Sequence, residues 1–170
     1  MKSSKKIALS GVFVALCVVF LFIGSVFQVL DLCAAMLGSF VVLAAIIELG
    51  KGYAFGIYLA SGALSILLLP YKTPAFVFAL FCGFYPILKV FLNKITPKPL
   101  SILARVGVFS TSLFAMYFTL GEALGFDALG GWPVIAAFIF AVFMFLLYDI
   151  SLERASWYYI KRIKPKLFKR

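Results

Sequence analysis

The chain has no histidine. The side chain most often used as a proton shuttle or metal ligand is therefore absent, and haem, zinc and di-iron chemistry lose their usual donor. Cysteine is scarce: Cys17, Cys33 and Cys82 all fall in apolar segments without CxxC spacing. They read as small buried hydrophobes and form neither a disulfide framework nor a metal set. Acidic residues are few, with 6 Asp and Glu against 16 Lys and Arg, a net charge of +10. No Ser/His/Asp or Cys/His set, glycine-rich phosphate loop or pair of intramembrane acids at ligand spacing occurs. Catalysis, a nucleotide motor, a bound cofactor and a metal site are accordingly not expected.

What is present is apolar. Hydrophobic residues make up 65% of the 170 positions and mean hydropathy is +1.13, far above a globular share. A soluble fold would lack the polar surface to cover itself, so the expectation is an integral membrane protein. The apolar runs are long and continuous rather than alternating, which favours an all-α bundle over a barrel.

The first run, Ile7 to Leu30, follows Lys2, Lys5 and Lys6 and carries no ionised side chain over 24 residues. As a helix it reaches roughly 36 Å, enough to cross a hydrocarbon core of about 30 Å. Its length exceeds a signal-peptide core and no small-x-small cleavage site closes it, so it is expected to be retained as a transmembrane helix. Ala8, Gly11 and Ala15 share one helical stripe, a flat surface on which a second helix can approach closely in lipid.

Five further helices are expected at 32–49, 53–69, 75–93, 100–124 and 134–159, followed by a basic tail, 160–170. All belong to a single membrane domain spanning residues 1–170. The breaks carry mechanisms: two glycines in Glu48-Leu49-Gly50-Lys51-Gly52 suit a tight turn, and Pro70 and Pro74 forbid a continuous helix. Pro86, in Gly83-Phe84-Tyr85-Pro86, predicts a kink or bend in the fourth helix.

Six spans put both termini on one side. With that side cytoplasmic, every cation except Lys72 lies at a cytoplasmic end or loop, as the positive-inside rule requires. The basic tail is then explained by anionic lipid headgroups, with no nucleic acid needed. Glu48, Lys51, Asp149, Glu153 and Arg154 fall at the same end, where ion pairing at the lipid boundary is expected. Lys89 is deeper, and its long stem is expected to snorkel to the interface. At the external ends lie Gln28, Asp31, Tyr71, Lys72, Tyr117, Glu122 and Trp132. If those ends converge, aromatic faces and both charge signs would suit a small organic solute; singly, the same residues are ordinary interfacial polarity.

A short six-helix chain with both ends cytoplasmic, opening with Lys-Lys-Ile-Ala-Leu-Ser-Gly-Val-Phe-Val-Ala-Leu, resembles the substrate-binding S components of energy-coupling factor (ECF) transporters. In that family, small residues of the first helix dock on a membrane T component, two cytoplasmic ATPases supply the drive, and a vitamin-like molecule is captured near the external face. The resemblance implies docking through Ala8, Gly11 and Ala15, an external solute site, and location in a bacterial plasma membrane. The family's alanine-x-x-x-alanine pattern is altered here: Val12 stands four residues after Ala8, and the four-residue pair is Gly11 with Ala15. Two other readings fit a small polytopic chain: a non-transport scaffold of the cell-envelope morphogenesis type, and a self-contained carrier.

Overall fold

The computed structural model describes residues 3–27, 30–92, 98–120 and 132–163, with side chains at those positions except 98–102, 116–120, 132–138 and 162–163. All described elements are helical: α1 (Ser3–Phe27), α2 (Asp31–Leu49), α3 (Lys51–Leu68), α4 (Thr73–Val77), a π-helical turn (Phe78–Cys82), α5 (Tyr85–Leu92), α6 (Lys98–Leu120) and α7 (Trp132–Tyr158), which runs into a second π turn (Tyr159–Ile163). Four segments among the described residues are long and apolar enough to cross a membrane: α1, α2, α3 and the broken run Thr73–Leu92. Taking that run as one, the described residues form six helical segments where six were expected.

The chain divides into two compact units, one of residues 1–88 with 152–170 and one of residues 89–151. In the first, α1 packs most extensively on α2 and next on α3. Cys17, Leu21, Gly24 and Ser25 are the buried residues of α1, and on α2 the small Ala34, Ala35, Gly38 and Ser39 are buried. Small side chains let the two backbones close up, which is how helices gain van der Waals contact where lipid is as apolar as leucine. At Gly24 an added Cβ would collide with the Cβ of Ala34, and the Cys17 thiol donates to the carbonyl of Gly38 at 3.5 Å. Cys33, expected to be buried with the other two, is exposed.

A single residue joins α2 to α3. Gly50 adopts φ 93°, ψ 171°, a region open essentially to glycine alone. Its N–H donates to Ile46 and its carbonyl accepts from Ala54, so the reversal leaves neither backbone group of Gly50 unmet. Gly52, the other glycine of this break, is already inside α3.

The fourth segment is interrupted differently from a proline kink. The N–H of Gly83 donates to Phe78 at 2.7 Å, five residues back, which widens the helix into the π turn. The carbonyl of Ala79, deprived of that donor, accepts instead from the Tyr58 hydroxyl of α3 at 2.7 Å. Gly83 lies where a Cβ would come 2.6 Å from the Tyr58 ring. Pro86 enters α5 in its first turn, where a missing N–H costs nothing.

The other end of α1 is tied by Ser25, whose hydroxyl donates to the carbonyl of Tyr71 and accepts its N–H, both at 2.9 Å. This fixes the turn after α3 against α1. Ser25→Ala is expected to lower stability by about 1 kcal/mol, read as a shift in the unfolding midpoint in mixed micelles; an unchanged midpoint would remove the tie.

In the second unit, Phe109 of α6 and Phe145 of α7 stack at 4.4 Å between ring centroids, with 8° between planes. Both rings are buried, so the pair anchors these two helices by area and by ring geometry.

Candidate functional site

The residues expected to meet a solute are distributed unevenly. Gln28 and Glu122 lie outside the described residues. Tyr117 and Trp132 are on the backbones of α6 and α7, with side chains outside the described set. Asp31, Tyr71 and Lys72 all belong to the first unit. The Ser25 bond holds the Tyr71 turn to the end of α1, and Asp31 opens α2 a few residues beyond that end. One end of the unit thus carries an acid, a phenol and a cation. Tyr71 and Lys72 are exposed, and Asp31 is half-buried.

Asp31 sits in the first turn of α2, where the helix dipole favours a negative charge. Its Oδ1 atom is shielded and has no hydrogen-bond partner among the described residues. A shielded carboxylate oxygen calls for a donor, such as an amine, a hydroxyl or water.

The residues of the small-residue stripe are on the surface. Ala8, Gly11 and Ala15 are all exposed, and a Cβ at Gly11 would meet nothing within 4 Å. α1 therefore has two faces rich in small residues: one, through Gly24 and Ser25, is used internally, and the other is open.

The second unit holds a constellation whose pairing partners no sequence signal named. Lys89, Arg105 and Asp149 come from α5, α6 and α7, separated by 60 and 44 residues along the chain. The Lys89 ammonium lies 2.6 Å from Asp149 Oδ1 and 2.5 Å from the carbonyl oxygen of the same residue. The Arg105 guanidinium reaches Asp149 Oδ2 at 2.8 Å. Lys89 is 6% exposed, which corrects the expectation that it snorkels. Its stem leads inward because a carboxylate and a carbonyl there replace water around the ammonium. The pairing expected of Asp149 is present, with α5 and α6 as its partners. One carboxylate serving two cations, with short charge-assisted bonds to each, makes Asp149 the centre of this unit's polar interior.

At the far end of the chain the π turn after α7 returns to α2 within the first unit. Ala155, Tyr158 and Tyr159 line a small apolar cavity with Phe40, Leu43 and Ile47. Among the described residues no cluster of three or more His, Cys, Asp or Glu could hold a metal ion.

Comparison with protein-family models, with curated proteins and with solved structures finds no match for this chain.

Proposed function

We propose that this protein is the membrane-embedded, solute-binding S component of an ATP-driven ECF-type uptake system. In this reading the six helical segments all span the membrane of a bacterial cell, with both termini in the cytoplasm. α1 docks on a T component, and two cytoplasmic ATPases supply the energy that no motif in this chain can supply. The observation that carries the reading is the open face of α1. Ala8, Gly11 and Ala15 are exposed on a helix that buries Cys17, Gly24 and Ser25 on another face. In lipid, such a face is a surface made for close approach of a second helix. The solute is a small, vitamin-like organic molecule met by Asp31, Tyr71 and Lys72, and the unmatched Asp31 Oδ1 favours one that carries a hydrogen-bond donor.

The test is Ala15→Leu in cells that also express candidate T components and their ATPases. The wild-type chain is expected to co-purify with that module and to carry a small molecule detectable by mass spectrometry. The variant is expected to lose the module at least tenfold while keeping the small molecule. A wild-type chain that is recovered alone and empty would sink the uptake reading. Equal loss of module and solute in the variant would refute the division of labour.

A further inference from the structure

α1 and α3 flank an apolar groove of about 580 Å³. Its walls include Gly11 and Val14 on α1 and Gly52, Tyr53, Gly56 and Ala60 on α3. The groove exists because side chains are missing: a Cβ at Gly11, Gly52 or Gly56 would meet nothing within 4 Å. Gly52, Gly56 and Ala60 recur every four residues on one stripe, covering about 12 Å of helix. Behind them Ile57 is buried against Ala45 and Leu49 of α2, so the groove has a solid inner wall.

One end of this groove is cationic. It begins where α1 and α3 both begin, at the level of Lys5 and Lys6 on α1 and Lys51 on α3. The Lys6 ammonium stands 5.6 Å from the centroid of the Tyr53 ring, which places a charge and an interfacial aromatic together at the mouth. α3 starts there without a side-chain cap, so its first N–H groups add partial positive charge at the same point.

We propose that the α1–α3 groove is a binding site for one anionic phospholipid. The phosphate lies at the mouth beside Lys6, and an acyl chain runs along Gly52, Gly56 and Ala60. Charge complementarity at headgroup depth selects the headgroup, and the apolar trough below it takes the chain. The inference rests on α1 and α3 lying in a membrane, not on the uptake reading, which the Ala15→Leu experiment tests separately.

The full chain, released from micelles holding equal amounts of phosphatidylglycerol and phosphatidylcholine with identical acyl chains, is examined by native mass spectrometry. The wild type is expected to retain phosphatidylglycerol about fivefold over phosphatidylcholine. Lys6→Gln is expected to bring the two headgroups to parity while some lipid is still retained. Gly56→Leu, which fills the trough from an open position, is expected to abolish retention of both. Gly107→Leu, also at an open position but outside the groove, is the control and keeps the wild-type pattern; circular dichroism and monodisperse elution confirm that each variant is folded. Equal retention of the two headgroups by the wild type would overturn the proposal. So would wild-type retention in Gly56→Leu, or a co-purifying protein that Gly56→Leu displaces while lipid retention is unchanged.

Discussion

Asp149→Leu is expected to cost about 3–5 kcal/mol. The wild-type carboxylate sits between two cations whose side chains are 7% and 15% exposed. Removing it leaves Lys89 and Arg105 facing each other without the group that offset their desolvation. Lys89→Met is expected to cost less, because Arg105 remains on Asp149 and the acid keeps a partner. The triple replacement Lys89→Met, Arg105→Leu and Asp149→Leu is expected to recover most of the loss, since the three charges of the cluster are removed together. Unfolding by sodium dodecyl sulfate in mixed micelles, followed by the fluorescence of Trp132 and Trp157, reads all three. An Asp149→Leu loss below about 1 kcal/mol, the scale of an exposed pair, would show that the cluster is solvated and not a buried centre.

That cluster also marks where the sequence stops being informative. Segment positions were legible because continuous apolar runs and the punctuation at Gly50, Pro70 and Pro74 are local signals. Even there, the Glu48–Gly52 break did not reveal which glycine takes the positive φ. It is Gly50, while Gly52 joins the groove wall. Facing was harder. In water, polar and apolar stripes announce the inner side of a helix, but in lipid both sides of α1 are apolar and the contrast vanishes. Small residues are the signal that survives, and it was ambiguous on α1. Ala8, Gly11 and Ala15 stood out as a stripe, whereas Gly24, which makes the internal crossing, has Ser25 beside it but no small residue one turn away. Ion pairing could be expected of Asp149, but its partners could not, because nothing within a helical turn of Lys89, Arg105 or Asp149 predicts a partner 44 or 60 residues away. Of the expected solute site, Asp31, Tyr71 and Lys72 were legible as polar residues at segment ends. The bond from Ser25 that holds their end of the unit together was not.

Gly24→Val is the second large effect, expected at about 3 kcal/mol, the upper range for overpacking a filled interior. The cause is geometric. The added Cβ would coincide with the space of the Ala34 Cβ, and the carbonyl oxygen of Leu30 stands only 3.5 Å away. The obstacle on α2 is therefore a Cβ fixed to the helix backbone, not a flexible side chain that can turn aside. α1 and α2 must separate, and Ser25, next in the chain, is drawn away from Tyr71 while Cys17 is drawn away from Gly38. Ala34→Gly in the same chain vacates the contested volume. The pair is expected to recover at least 1 kcal/mol relative to additivity, which a double-mutant cycle measures. Valine at Gly107, where nothing lies within 4 Å, is expected to change stability by less than about 0.5 kcal/mol. If valine at position 24 proves as harmless as valine at 107, the close crossing of α1 and α2 is not the contact that orders this unit, and the open face at Ala8, Gly11 and Ala15 can no longer be distinguished from a used one.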